Sequence, residues 1–262
     1  MSAFGAALWA EALKARRSLA PALSALALMA LPLVDGLFMI ILKDPERART
    51  MGLISAKAQL AAGVAEWQTF LGVLTQGIAI GGAVVFALLT AWVFGREHSD
   101  RTAKELLALP TPRATIVAAK FVLIALWTLA LALLIFAAGL SIGVVVGIPG
   151  WSRDLAWTSF RSLLGVALLD FMLLPFVAFF ASAGRGYLPA LGWALFSIFL
   201  AQIAAVLGWG DWFPWSVPAL FSGMAGPRAG DLGLHSYASV ALTFAVGLAA
   251  TFAWWRNADQ VR

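Results

Sequence analysis

Stretches of about 20 or more apolar residues recur along this chain, and they constrain its fold more than any other feature. Roughly 20 apolar residues is the length that an α-helix needs to cross a hydrocarbon core about 30 Å thick. The composition agrees, because only 12% of the 262 residues are charged and the mean hydropathy is +0.90, whereas a soluble domain carries about 25% charge. The sequence therefore predicts an all-α, polytopic integral membrane protein.

We predict six transmembrane helices, organised as a single domain over residues 1–262. The predicted spans are Ser18–Leu42, Thr69–Phe94, Phe121–Ile148, Ser162–Ala183, Tyr187–Trp209 and Ser236–Trp255. Ahead of them, residues 1–17 place apolar side chains such as Phe4 and Trp9 before three basic residues. This pattern predicts a helix that lies at the membrane surface, and a frayed polar leader is the alternative.

Lysine and arginine are unevenly distributed between the predicted loops. The N-terminus, the second and fourth loops and the C-terminus carry 11 of them, and the first, third and fifth loops carry 7. Because basic residues accumulate on the cytoplasmic side of a membrane, both termini and the loop at residues 95–120 are predicted to be cytoplasmic. These basic residues separate apolar runs instead of forming one face, so they indicate membrane topology and not nucleic-acid binding.

Two kinds of chemistry are excluded by residues that the sequence lacks. There are no cysteines, so a disulfide, a thiol nucleophile and a zinc–thiolate site are all ruled out. There is also no G-x-x-x-x-G-K-[ST] motif, so this chain has no phosphate loop for ATP. Any ATP-driven movement therefore requires a motor on another polypeptide.

The longest charged stretch, FGREHSDRTAKELLALPTPRATIVAAK at Phe94–Lys120, contains the signals of a short helix. TAKE at Thr102–Glu105 is a capping box, and Pro110 ends the leucine-rich run that follows it. A helix of about two turns is not stable alone in water, so its leucines must pack on an apolar surface. That surface is either the membrane with the ends of the chain's own spans, or a groove on a cytoplasmic partner.

The same stretch resembles the first cytoplasmic loop of ABC transporter permeases of the type-2 exporter class. The shared elements are Arg96-Glu97, Thr102, Leu106-Leu107, Pro110, Arg113 and Lys120. One departure is Arg101, which stands where the family usually has glycine. In outline the resemblance covers the whole chain, with an N-terminal surface helix, six spans, and this loop between the second and third.

The resemblance implies a permease subunit of an ATP-driven exporter in the bacterial cytoplasmic membrane. It implies two permease copies, or this chain and a related one, and a separate ATPase that binds ATP and Mg, with no cofactor or metal in this chain. The loop would be a coupling helix in a cleft of that ATPase. The apolar, aromatic-rich spans suit a hydrophobic or amphipathic cargo, whereas the resemblance itself leaves the cargo open. The residues assigned to the coupling contact are Glu97, Thr102, Glu105, Leu106, Leu107, Leu109, Pro110 and Arg113.

Two carboxyl groups lie inside predicted spans. Asp35 and Asp170 are each eight or nine residues from the outer end of a span, so each is expected about 12 Å deep. An intramembrane carboxylate is costly and usually faces a cavity or a partner, which predicts a polar element of a translocation pathway or a proton-linked site. The alternative is that each caps a helix break, beside Pro32 or Pro175.

The predicted outer loop at residues 210–235 is rich in aromatic residues, including Trp212, Phe213 and Trp215. Aromatic rings favour the headgroup region of a membrane, so interfacial anchoring is one interpretation. The resemblance implies another, in which the segment forms short re-entrant helices between the fifth and sixth spans and acts as an outer gate.

Glycines recur every four residues in two of the predicted spans. Gly139, Gly143 and Gly147 follow this spacing in the third span, and Gly77 and Gly81 follow it in the second. Small residues at this spacing predict that a neighbouring helix approaches closely.

Two other classes of function are left open by the sequence. One is a polytopic membrane enzyme that uses Asp35 and Asp170 as catalytic carboxylates, and the other is a non-transporting scaffold or sensor subunit. An enzyme would need a compact cluster of catalytic residues at one depth. The two histidines, His98 and His235, are instead predicted to be solvated loop residues on opposite faces of the membrane.

Overall fold

The computed structural model describes residues 2–44, 64–100, 102, 111–224 and 232–257. The α-helices in these ranges are α1 (Ala3–Arg16), α2 (Ala20–Lys43), α3 (Trp67–Gly77), α4 (Ala83–Ser99), α5 (Arg113–Val146), α6 (Arg153–Ala183), α7 (Tyr187–Val206), α8 (Val217–Phe221) and α9 (Leu234–Asn257). A π-helical segment, Ile78–Gly82, joins α3 to α4, and a 3-10 turn, Pro214–Ser216, precedes α8.

Six helical stretches in the described ranges are long and apolar enough to cross a membrane, which confirms the predicted fold class. They are α2, the combined α3–α4 helix, α5, α6, α7 and α9. Several helix ends differ from the ends of the predicted spans. Helix α5 begins at Arg113 and α6 begins at Arg153. Ser152 caps α6 by accepting a hydrogen bond from the amide of Leu155, a signal that lies outside the apolar run.

The extended helices shorten the loop that was predicted at residues 95–120. Helix α4 continues to Ser99 and α5 starts at Arg113, so the connection is confined to residues 100–112. Between the fifth and sixth spans, the described residues form the 3-10 turn and α8, and both pack against the bundle. That this segment re-enters the membrane stays a prediction.

Hydrogen bonds show which connections share an end of the bundle. At the end that holds α1, Arg113 Nη1 donates to the carbonyl oxygens of Trp255 and Arg256 at 3.3 and 3.4 Å. At the opposite end, Lys43 Nζ donates to the carbonyl oxygen of Val146 at 2.6 Å. The N-terminal helix, the described ends of the loop at residues 100–112 and the C-terminal end of α9 therefore lie together, as the alternation of spans predicts.

Glycines stand at the predicted helix crossings. A Cβ atom at Gly143 would overlap the ring of Trp67 on α3, and one at Gly139 would overlap Leu74 on the same helix. These contacts confirm the close approach of α5 and α3. Gly147 has a different role, because its φ of +68° forms the left-handed cap that ends α5.

Helix α6 is the centre of the bundle and packs against α3, α4, α5, α7 and α9. It continues through Pro175, as α2 continues through Pro32, so neither helix is broken near its aspartate. Helix α9 crosses α6 closely where Gly247 lies against Pro175, and Thr251 Oγ1 donates to the Pro175 carbonyl at 3.1 Å. The interpretation of the two aspartates as caps of helix breaks is therefore wrong.

Candidate functional site

The N-terminal helix α1 packs against α5 with a charged side chain turned inward. Glu11 is 5% exposed, whereas Trp9 is 63% exposed. Helices on the surface of soluble proteins show the opposite arrangement, with apolar residues inside. An exposed tryptophan fits a helix whose outer face lies at the membrane interface. The helix itself is confirmed, and its place at the membrane surface stays a prediction.

Glu11 belongs to a cluster of four paired side chains, Glu11, Lys14, Glu97 and Lys120, which we call the charge network. Lys120 Nζ is fully buried, lies 3.0 Å from Glu11 Oε2 and 3.1 Å from Glu97 Oε1, and donates to the carbonyl of Val93 at 2.8 Å. Lys14 Nζ lies 2.8 Å from Glu11 Oε1 and 2.7 Å from Glu97 Oε1. Each carboxylate therefore contacts both ammonium groups, which offsets the cost of burying these charges.

Lys14 forms the partly exposed edge of the charge network. Burial lowers the pKa of Lys14, but the attraction of Glu11 and the hydrogen bonds to Glu11 and Glu97 outweigh burial, and the pKa is raised above its ordinary value of 10.5. Stability linked to a raised lysine pKa is complete below the unfolded-state pKa and is lost as the pH rises through the folded-state pKa. Lys14 is therefore charged at neutral pH.

The charge network reaches the predicted coupling loop. Glu97 lies in the last turn of α4, and Lys120 lies about two turns into α5, so the network joins the two helices that flank the loop. Thr102 Oγ1 donates to Glu97 Oε2 at 2.9 Å, which ties the start of the loop to the same carboxylate. Arg113, on the other side of the loop, bonds to the C-terminal end of α9.

The other predicted coupling residues lie outside the described residues. They are Glu105, Leu106, Leu107, Leu109 and Pro110. The short helix predicted from the capping box is therefore neither supported nor contradicted by the structure. Of the whole predicted set, the structure places Glu97 and Thr102 together and Arg113 at the same end of the bundle.

Glu11 was not predicted as a site residue, although the sequence contains a signal for it. It is the one acidic residue of α1, it stands among apolar residues, and it lies three positions before Lys14. That spacing places the two side chains on one helix face. A buried partner for such a pair can be suspected from the sequence, but its identity cannot.

The two intramembrane aspartates are both buried but have different surroundings. Asp35 is 4% exposed, and neither of its carboxyl oxygens has a hydrogen-bond partner among the described residues. Its neighbour in α2, Gly36, packs against Ile142 of α5. Asp170 is 2% exposed, lies near the middle of α6, and lines a cavity of about 170 Å³ of which Asp35 is not part.

The three aromatic residues predicted as gate elements lie at different sites in the structure. Trp215 lines the same cavity as Asp170. Phe213 contacts Trp215, with ring centroids 5.4 Å apart, and Trp212 stacks on His235 with centroids 4.3 Å apart. The structure therefore brings Asp170 and Trp215 to one cavity and leaves Trp212 at an exposed site outside it.

Neither histidine is the solvated loop residue that was predicted. His98 lies in α4, is partly buried, and packs its ring against Trp254 with centroids 5.9 Å apart. His235 lies in the first turn of α9, where its Nε2 is 3.1 Å from Asp211 Oδ2. The helices extend beyond the apolar runs, so residues assigned to loops become parts of helices.

Comparison with known proteins places this architecture among transporters. Residues 7–201 match the family described as ABC-2 family transporter protein. The bacitracin transport permease protein BCRB of Bacillus licheniformis is 27% identical over 183 residues, which cover 68% of this chain and 85% of that protein. The family match includes all four side chains of the charge network, the loop between α4 and α5, and Asp170.

Proposed function

The chain belongs to the ABC-2 transporter family and is a membrane transport permease subunit, and from that premise we propose that it serves an ATP-driven exporter coupled to a separate ATPase. The observation that carries the proposal is the charge network, because it joins α1 to both helices that flank the loop at residues 100–112. ATP and Mg²⁺ bind to the ATPase, and this chain contributes the pathway through the membrane.

The charge network passes movement of the loop to the membrane helices. Separating opposite charges in a buried site costs several kcal/mol, so Glu11, Glu97 and Lys120 move as one unit. The bond from Thr102 to Glu97 attaches the first part of the loop to that unit. When an ATPase displaces the loop, α4 and α5 follow it together with α1.

The docking element is the short helix predicted after Thr102. Its leucines, Leu106, Leu107 and Leu109, enter an apolar cleft on the ATPase, and Glu105 completes the capping box that starts the helix. This contact rests on the resemblance of the loop sequence and on the instability of so short a helix without a partner. The end of the bundle that holds α1 then lies in the cytoplasm of a bacterial cell, where ATP is available.

Two copies of the permease enclose the transport pathway. Helices α2 and α7 expose many large apolar side chains, among them Leu26 and Leu195, which lie against lipid or against the second copy. Where the apolar surfaces of two copies face each other, they would form a lining that suits a hydrophobic or amphipathic cargo. The relative whose name specifies bacitracin transport makes bacitracin the first cargo to test.

The test is purification of the tagged chain from membranes of the cell that produces it, followed by assays of ATP hydrolysis with and without bacitracin. Leu106→Asp is the docking variant. Leu19→Asp is the matched control, because Leu19 is an exposed leucine at the same end of the bundle. We expect an ATPase to co-purify with the wild type and with the control. The docking variant should lose most of the bound ATPase.

The possible outcomes separate the parts of the proposal. If an ATPase still co-purifies with Leu106→Asp, the docking assignment is wrong. If no ATPase co-purifies with the wild type, the scaffold or sensor alternative is favoured. Native mass spectrometry of the same complex should count two permease copies. Catalytic turnover of a small molecule by the purified chain alone would restore the enzyme hypothesis.

A further inference from the structure

The cavity beside Asp170 is formed by four parts of the chain: the α3–α4 helix, α6, α7, and the 3-10 turn with α8. Much of its wall consists of alanine side chains, including Ala83, Ala194 and Ala219. Such short side chains leave space between helices that larger residues would fill. The volume of about 170 Å³ is similar to that of an engineered cavity of about 150 Å³ that holds benzene.

The cavity wall carries one buried carboxyl group, that of Asp170, and one of its oxygens is unpaired among the described residues. Asp170 is 2% exposed, and its Oδ2 atom has no hydrogen-bond partner in the described part of the chain. Ser216, also on the wall, already donates to the carbonyl of Ala201 at 3.1 Å. No lysine, arginine or histidine is among the described residues of the wall.

The cavity also has an opening. Gln202 and Met224 line it and are exposed on the protein surface, so a ligand has access between α7 and Met224. Trp215 contributes an aromatic ring to the wall. The interior therefore combines an apolar surface, one acid and one aromatic ring.

We propose that this cavity binds a ligand with a ring-sized apolar body and a single protonated amine that pairs with Asp170. A buried carboxylate without a partner is strongly unfavourable, and an ammonium group supplies both the opposite charge and three N–H donors. The ring of Trp215, which also lines the cavity, gives the apolar body of the ligand an aromatic surface to pack against. A neutral alcohol of equal shape gains the burial of its apolar body and at most one hydrogen bond, without the attraction between opposite charges.

The role of this ligand as cargo rests on the proposed transport function, whereas its binding does not. If the permease exports amphipathic molecules, the cavity selects those with a basic amine near a ring. Binding can be measured on the purified chain without an ATPase, so a failure here leaves the ATPase experiment unaffected. Loss of the ATPase partner would likewise leave the binding measurement valid.

The test measures the binding of tritiated phenylbutylamine to the purified chain in lipid nanodiscs by scintillation proximity. The neutral analogue phenylbutanol is added as a competitor. We expect the alcohol to compete at least about tenfold more weakly than unlabelled amine, as for loss of a buried charge pair. Asp170→Asn should weaken amine binding at least about tenfold and leave alcohol binding unchanged. Asp154→Asn, an exposed position on the same helix, is the matched control and should bind the amine as the wild type does.

A second variant keeps the test decisive if Asp170→Asn does not fold. Ala83→Leu fills the cavity, retains Asp170, and should weaken binding of both ligands. Equal affinity for amine and alcohol would show an apolar pocket without charge selection. That result, absent binding, or amine binding unchanged by either variant would overturn the proposal.

Discussion

Lys120 joins three helices through a single buried ammonium group. It contacts Glu11 on α1, Glu97 on α4 and the carbonyl of Val93, and it has no exposed surface. In Lys120→Met, both carboxylates would have to share Lys14. We expect the free energy of unfolding to fall by about 3–5 kcal/mol, the usual cost of breaking a buried ion pair, as measured by denaturant unfolding of the purified protein.

Lys43→Met is the matched control for that measurement. Lys43 is exposed and donates to the carbonyl of Val146 at the opposite end of the bundle. Loss of an exposed lysine that makes one hydrogen bond to the described residues should cost about 1 kcal/mol or less. If the two variants prove equally stable, the charge network is no stronger than a surface contact and cannot couple the loop to the helices.

Only part of this network was predictable from sequence. Glu97 and Lys120 appear in the loop that resembles the family, and Lys14 is one of the basic residues in the last turn of α1. Glu11 was not found, because 109 positions separate it from Lys120 along the chain. A contact over that distance depends on how α1 docks against α5, and hydropathy contains no information on that geometry.

At the level of helices, the crossing of α5 and α3 gives a matched prediction. A Cβ atom at Gly143 would overlap the ring of Trp67, whereas one at Gly192 on α7 would meet nothing within 4 Å. Gly143→Ala should therefore destabilise the protein by about 1–3 kcal/mol through overpacking. Gly192→Ala should be neutral or stabilising by up to about 1 kcal/mol, because it improves helix propensity.

Unfolding of the two alanine variants in detergent, followed by helical circular dichroism, checks this prediction. The comparison removes the general effect of replacing glycine by alanine in a membrane helix. A Gly143→Ala variant as stable as Gly192→Ala would mean that α5 and α3 do not approach as closely as the structure places them. The repeated glycines would then have no packing role at this crossing.

Sequence patterns located the helices better than their ends. Apolar length identified all six spans, but it could not extend α6 back to Arg153, since the capping residue Ser152 lies in a polar stretch. Pro32 and Pro175 suggested breaks, yet both helices continue through them, since prolines are tolerated inside transmembrane helices. The π-helical segment Ile78–Gly82 has no periodicity that distinguishes it from the α-helix around it.

At the scale of the whole molecule, the two ends of the helix bundle hold different charged groups. One end holds the charge network and the described ends of the loop at residues 100–112, and the opposite end holds the Asp211–His235 pair. The alternation of six spans predicted which connections share an end, and the structure agrees. The assignment of one end to the cytoplasm rests on the excess of Lys and Arg, 11 against 7. That excess determines how a chain inserts into the membrane, and contacts between helices contain no information on it.

The sidedness of the membrane can be tested on one helix, α6, because the chain has no native cysteine. Asp154→Cys and Ala183→Cys each introduce a single thiol at an exposed position, one at each end of α6. In intact cells, a membrane-impermeant maleimide should label Asp154→Cys, and it should label Ala183→Cys only after permeabilisation. The opposite pattern would place the charge network and the loop outside the cell, where no ATPase can use cytoplasmic ATP to move them, and the proposed coupling would then be physically impossible.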